Sequence, residues 1–76
     1  MPSERMKIMA EAEWAKECFM TEPHAAGRRL FDDLLARYPD DGMVCFRFAE
    51  ALEYLGEMRK AAEYFARARD LFFMRE

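Results

Sequence analysis

Residues 55–71 read LGEMRKAAEYFARARDL, and this stretch decides the fold. Leu55 closes one apolar helical pattern, and Gly56 can adopt the left-handed conformation that commonly ends a helix. Small residues then recur along one face of a second helical pattern, at Ala61 and Ala68, with Phe65 between them. Small side chains at this spacing allow two helix backbones to approach closely. The stretch therefore predicts a tight helical hairpin, the unit of helical repeats that bind other proteins.

The length and composition indicate one helix-rich globular domain spanning residues 1–76. Hydrophobic residues make up 53% of the 76 positions, whereas glycine and proline number three each. This composition disfavours disorder. A chain of this length buries roughly 60% of the surface that its unfolded form exposes, so the stability of an isolated domain is marginal.

The charges are nearly balanced and are interleaved along the chain. There are 12 basic and 15 acidic residues, which give a net charge of −3. The sequence therefore lacks the one-sign stripe of a nucleic-acid binder or of a membrane-surface helix. We expect neither nucleic acid nor membrane as a partner.

The sequence predicts a cytoplasmic protein. Its first seven residues lack the apolar run of a signal peptide, and no apolar stretch approaches the length of a membrane span. Cys18 and Cys45 both fall within helical patterns, and no second pair completes a metal site. We interpret them as reduced core residues, with a disulfide or redox pair as the alternative.

Apolar residues at helical spacing predict four helices, with expected bounds of about 4–20, 23–38, 42–55 and 58–73 or beyond. Ser3 is expected to cap the first helix, and Asp40 or Asp41 the third. Because the connections are short, consecutive helices should pack antiparallel. The predicted fold class is all-α, with four helices in two antiparallel hairpins.

The same spacing indicates the apolar faces of these helices. The apolar positions are Met6, Met9, Ala10, Trp14 and Cys18 in the first helix, Ala26, Leu30, Phe31, Leu34 and Leu35 in the second, Cys45, Phe48, Ala49 and Leu52 in the third, and Ala61, Ala62, Phe65, Ala68, Leu71 and Phe72 in the fourth. We expect these faces to form the core.

The chain resembles the tetratricopeptide repeat (TPR) family, whose 34-residue unit follows the loose pattern W-x2-L-G-x2-Y, then A-x3-F, then P. With residues 42–75 as one unit, Ala49 stands at the Gly place, Ala61-x3-Phe65 matches outright, and Ala68 fills the next small position. Phe73 replaces the final Pro, so we expect the fourth helix to continue past the usual stop.

A shift of 34 residues gives a first unit at about 8–41. Ala15 stands at the Gly place, Gly27-x3-Phe31 matches Ala-x3-Phe with a smaller residue, and Pro39 falls on the Pro place. The resemblance implies two hairpins stacked as a short α-solenoid, with Ala15 facing Gly27, and Ala49 facing Ala61. A generic four-helix bundle is the alternative.

The sequence offers little for catalysis or cofactor binding. His24 is the single histidine, expected at the surface, and no serine or cysteine is positioned as its nucleophile. Asp32 and Asp33 have Arg28, Arg29 and Arg37 at neighbouring helical spacings and are interpreted as members of solvated ion pairs. Asp40 and Asp41 precede a helix and are interpreted as caps. We expect no enzyme activity, no cofactor and no metal. A small enzyme or a metal protein is the remote alternative.

The resemblance implies a concave groove lined by the first helix of each hairpin. The implied lining residues are Met9, Ala12, Glu13, Lys16, Phe19 and Met20 from the first unit and Met43, Phe46, Arg47, Glu50, Glu53 and Tyr54 from the second. Only Lys16 and Arg47 are basic, so we expect no clamp for a peptide carboxylate. Methionine and aromatic side chains favour an apolar protein or peptide partner. For Phe19 and Met20, packing in the core is an equally open alternative.

A second apolar surface is expected at the end of the fourth helix, where Leu71, Phe72, Phe73 and Met74 form an apolar run. Repeat arrays need capping helices and about three repeats for independent stability, and this sequence has two repeats without a cap. We therefore expect a non-catalytic scaffold or adaptor that self-associates through this run as a homo-oligomer, with a dimer favoured. A monomeric peptide-binding adaptor that uses the groove is the alternative.

Overall fold

The computed structural model describes residues 3–74, and within that range the chain forms four α-helices and no strand. The helices are α1 (Glu4–Met20), α2 (His24–Arg37), α3 (Gly42–Tyr54) and α4 (Met58–Phe73). The predicted all-α class and the two stacked antiparallel hairpins are confirmed. The expected end of the second unit at Arg75 lies outside the described residues.

Side chains cap the first helix of each hairpin. Ser3 Oγ accepts a hydrogen bond from the Met6 amide at 3.2 Å. Asp41, not Asp40, caps α3, because its Oδ1 accepts from the amides of Met43 and Val44 at 3.0 and 3.2 Å. These bonds satisfy amides that have no partner within the helix, so local sequence fixes where each hairpin begins.

Gly56 ends α3 as predicted, with a φ of +84°. Its amide donates to the Glu53 carbonyl at 3.0 Å, and the Glu57 amide donates to the Leu52 carbonyl at 2.9 Å. This pair of bonds is the Schellman pattern, which requires a left-handed residue after the helix and therefore favours glycine. The chain then reverses directly into α4.

The helix α3 lies at the centre of the packing. It contacts α1, α2 and α4, while α1 packs against α2. Within the described range, α4 makes its helix–helix contacts with α3 alone. The hairpins therefore stack through α1, α2 and α3, and among residues 3–74 no helix packs on the side of α4 away from α3.

The two helices of the first hairpin meet at Gly27. A Cβ atom at this position would overlap the backbone nitrogen and Cα of Phe19 and would lie 2.6 Å from the Cys18 carbonyl carbon. The backbone nearest to Gly27 is that of Phe19. It lies one helical turn after Ala15, the residue that was expected to face Gly27. Only glycine allows this approach, which fixes the separation of α1 and α2.

An aromatic cluster forms the centre of the core. The Phe48 ring lies 5.9 Å from Phe19 and 4.9 Å from Phe31, measured between centroids, and Tyr64 packs edge-on against it at 4.7 Å. These separations are within the favourable range for aromatic pairs. One side chain of α3 therefore joins all four helices.

The predicted core is correct for α3 and partly wrong elsewhere. In α1 the buried residues are Ile8, Ala12, Ala15 and Phe19, whereas Met6, Met9, Ala10 and Trp14 are exposed and Cys18 is half-buried. Of the residues predicted for the core of α2 and α4, four are exposed: Ala26, Leu30, Ala62 and Phe72. Three more are half-buried: Leu35, Phe65 and Leu71. Apolar side chains surround most of α1, so its pattern does not single out a face, and its small residues turn inward where helices approach closely.

Candidate protein-interaction surfaces

Four charged side chains connect α1 to α3 and neutralise one another. Arg47 Nε lies 3.1 Å from Glu13 Oε2, and Arg47 Nη1 lies 2.6 Å from Glu50 Oε1. Lys16 Nζ lies 3.5 Å from the same Glu50 oxygen and 3.6 Å from Glu13. The two basic groups are therefore already paired with carboxylates of this chain.

These contacts follow the 34-residue spacing of the sequence. Lys16 and Glu50 are 34 positions apart, and so are Glu13 and Arg47. Both pairs join residues of opposite charge at equivalent positions of the two hairpins. Comparison of the charges across the 34-residue shift would have revealed the network from the sequence, and the sequence analysis missed it.

A second ion pair connects the start of α1 to the cap of α3. The Arg5 guanidinium donates to both carboxylate oxygens of Asp41, at 2.7 and 2.9 Å, and the Asp41 side chain is only 8% exposed. Burial alone raises the pKa of Asp41. The hydrogen bonds from Arg5, Val44 and Met43 outweigh that effect, so the net pKa lies below its ordinary value. The carboxylate is thus held ionised as a cap.

A third connection lies on the α2 side. Arg28 Nη2 donates to Glu57 Oε2 at 2.9 Å, which joins the first hairpin to the turn before α4. The same guanidinium stacks 4.9 Å above the Phe19 ring. Arg28, expected to pair with nearby aspartates, therefore pairs across the stack. Arg37 is the arginine that pairs with Asp33, at 2.7 Å.

The implied groove residues differ in accessibility. Met9, Glu13, Glu53 and Tyr54 are exposed, and Lys16, Met20, Met43, Phe46, Arg47 and Glu50 are half-buried. Ala12 and Phe19 are enclosed in the core. The expected place of Ala12 in the groove is therefore wrong, and Phe19 follows the alternative of core packing. Close packing of α1 against its neighbours leaves no room for a partner at those two positions.

An apolar cleft of about 290 Å³ lies between α3 and the last turns of α4. The side chains that line it are Phe46, Phe65, Ala68, Arg69, Phe72 and Phe73. The rings of Phe46 and Phe65 form one wall, with centroids 5.6 Å apart. We refer to this surface as the C-terminal cleft.

The apolar run of α4 borders this cleft. Phe72 is 42% exposed and Phe73 70% exposed, Met74 is also exposed, and Leu71 is half-buried. Phe72 also packs over the start of α3, because a Cβ atom at Gly42 would lie 2.7 Å from its ring. The cleft therefore continues from a half-buried wall to the exposed side chains at the end of α4.

The opposite end of the stack also carries exposed apolar groups. Trp14 is 63% exposed, although the sequence analysis assigned it to the core. With Leu30 it lines one shallow depression, and with Cys18 it lines another. We refer to Trp14, Cys18 and Leu30 as the Trp14 face.

The two cysteines and the single histidine are buried or half-buried in the helices. Cys18 and Cys45 are free thiols, and burial raises the pKa of Cys45. His24 was expected at the surface but is half-buried, and its Nδ1 donates to the Phe19 carbonyl at 2.8 Å. Among residues 3–74, no three histidine, cysteine or acidic side chains are grouped as a metal site. None of the helices described is long and apolar enough to span a membrane.

Comparisons with models of protein families, with curated proteins and with solved structures found no match for this chain. The interpretation of its surfaces therefore depends on their own geometry and chemistry. The C-terminal cleft and the Trp14 face, at the two ends of the hairpin stack, carry the exposed aromatic side chains of Phe72, Phe73 and Trp14, and Tyr54 is a further exposed aromatic residue outside both surfaces.

Proposed function

We propose that this chain is a non-catalytic protein–protein interaction module of the TPR type that self-associates through the end of α4. The observation that carries this proposal is the C-terminal cleft, in which an apolar concavity is bordered by the exposed rings of Phe72 and Phe73. Burial of such rings at an interface contributes strongly to association.

Two features support the repeat type. The ends of α1 and α3, Met20 and Tyr54, are 34 positions apart, as are the starts of α2 and α4, His24 and Met58. The ion pairs between α1 and α3 have the same offset. The cytoplasm is part of the proposal, since both thiols are free.

Light scattering behind a sizing column tests the self-association. We expect the wild-type mass to rise above that of a monomer across micromolar concentrations and Phe73→Glu to lower it. Met58→Glu is the matched control, because Met58 is an exposed apolar residue at the other end of α4 and lies outside the cleft. A wild-type monomer at every concentration, or an equal effect of both variants, would contradict the proposal.

The monomeric adaptor is the competing function, and the exposed Met9 and Tyr54 are the residues that favour it. It predicts that Tyr54→Ala weakens the binding of an apolar peptide while the mass stays that of a monomer. The charged network between α1 and α3 occupies the middle of that face, which is why we place this function second.

A further inference from the structure

We propose that a second copy of this chain seats its Trp14 face in the C-terminal cleft, so that copies stack head to tail and continue the 34-residue repeat. This inference rests on the proposed self-association and identifies the surface that the cleft receives. The interface that the two hairpins form within one chain supports it, because the proposed contact between copies would use equivalent positions.

Phe48 is the central contact of that internal interface. Only 3% of it is exposed, and its ring lies 4.9 Å from Phe31 of the first hairpin. The residue 34 positions earlier is Trp14, the most exposed residue of the Trp14 face. The first hairpin therefore presents outward the same position that the second hairpin buries against its neighbour.

The residue that packs against Phe48 also has an exposed equivalent in the first hairpin. Phe48 packs against Tyr64 at 4.7 Å, and the residue 34 positions before Tyr64 is Leu30. Leu30 and Trp14 line one depression on the outside of the first hairpin. Phe48, which is buried, and Tyr64, which is half-buried, are thus replaced by exposed apolar residues in the first hairpin.

The C-terminal cleft is equivalent to a surface that the first hairpin buries against the second. Phe31 and Leu34 are buried in the core, and the residues 34 positions later, Phe65 and Ala68, line the C-terminal cleft. Ala68 is smaller than Leu34, while Trp14 is larger than Phe48.

The charges along this stack also match. Within one chain, Glu13 pairs with Arg47, and Lys16 pairs with Glu50. Continuation of the same shift brings Arg47 of one copy beside Glu13 of the next, and Glu50 beside Lys16. Both new neighbours have opposite charge, so the head-to-tail register brings no like charges together at these positions.

Such a contact uses different surfaces on the two copies, so it is heterologous. Each added copy leaves one cleft and one Trp14 face free, and growth continues unless a ring closes. An isologous dimer, in which two clefts meet, would instead stop at two copies and leave Trp14 exposed. The two arrangements therefore make different predictions for variants at opposite ends.

The test uses two complementary variants of the full chain, Trp14→Glu and Phe73→Glu. We expect each variant alone to be monomeric by light scattering. We expect their equimolar mixture to form a dimer with one copy of each, because the first retains an intact cleft and the second an intact Trp14 face. Trp14→Phe should restore self-association, and circular dichroism checks that each variant remains helical.

A dimeric Trp14→Glu protein, together with a mixture that forms no mixed dimer, would overturn the inference and leave the proposed function intact. A monomeric wild-type chain would overturn both. The single tryptophan provides a readout that needs no variant at that position. Its emission should shift to shorter wavelength as the wild-type concentration rises and should remain constant for Phe73→Glu; a constant wild-type emission during association would also overturn the inference.

Discussion

The two hairpins carry the same apolar positions, yet they bury different ones. Phe31 of the first hairpin is enclosed by Phe48 of the second, whereas its equivalent, Phe65, is half-buried beside an open cleft. Conversely, Phe48 is enclosed and its equivalent, Trp14, is exposed. Burial in this chain therefore depends on the place of a residue in the stack more than on its type.

The largest effect expected from this difference is in the free energy of unfolding of two matched variants. Phe31→Ala removes a ring enclosed by Phe19 and Phe48 and should cost about 3–5 kcal/mol. Phe65→Ala removes a half-buried ring and should cost about 1–2 kcal/mol. Urea denaturation at low protein concentration measures both values. Equal losses would show that Phe65 is covered as fully as Phe31.

The helix contacts within each hairpin should respond to opposite substitutions. Gly27→Ala adds a Cβ that overlaps the backbone of Phe19, and we expect it to cost about 1–3 kcal/mol in spite of the better helix propensity of alanine. Its equivalent, Ala61, is buried in α4, and Ala61→Gly should cost about 1 kcal/mol through helix propensity, with the loss of one buried methyl group adding to this. Thermal or urea unfolding of both variants tests this. A stabilising Gly27→Ala would contradict the close approach.

The two side-chain caps should differ in their response to acid. Asp41→Ala removes the cap of α3 and should cost about 1 kcal/mol at neutral pH, and loss of the Arg5 pair adds to this. Because the folded-state pKa of Asp41 is lowered, its contribution is present above the unfolded pKa and is lost as the pH falls through the lower folded value, below about pH 4.

Ser3→Ala is the matched control for this pH dependence. Ser3 caps α1 with a hydroxyl that does not titrate. The free energy of unfolding lost in Ser3→Ala should therefore be the same at neutral pH and at about pH 3. Urea midpoints at both pH values measure the two variants. If Asp41→Ala remained equally destabilising in acid, the ion pair would have no role in holding the cap ionised.

The smallest effect concerns the charges between the hairpins. A double-mutant cycle on Glu13 and Arg47, both partly exposed, should give a coupling of about 0.2–1 kcal/mol that falls with added salt. The exchanged pair, Glu13→Arg with Arg47→Glu, should recover part of the loss of either single variant. Additive losses would indicate that the 34-residue register carries no electrostatic coupling.

The helices and their ends were predictable because local physics determines them. Ser3 and Asp41 are good acceptors for free amides at helix starts, and Gly56 adopts the positive φ that a Schellman ending requires. These interactions involve residues within a few positions of one another. The sequence therefore contained the information needed to locate them.

The core of α1 and the candidate surfaces were less predictable. The helix α1 has apolar residues around most of its circumference, so periodicity favoured Trp14 where packing favours Ala12 and Ala15. The C-terminal cleft combines Phe46 of α3 with residues of α4 that the sequence analysis had assigned to separate surfaces. Contacts between helices, which periodicity does not encode, decided both outcomes.

By itself the sequence determined the four helices, their caps and turns, and the small residues that let each hairpin close, because these depend on neighbouring residues and on backbone conformation. The packing of the helices decided that Phe48 is enclosed and Trp14 exposed, and that Phe46 of α3 lines one cleft with residues of α4. Residues at equivalent positions differ in burial because each hairpin packs against the other hairpin on one side only. Whether a residue is buried therefore depends on the neighbouring hairpin as well as on the residue itself.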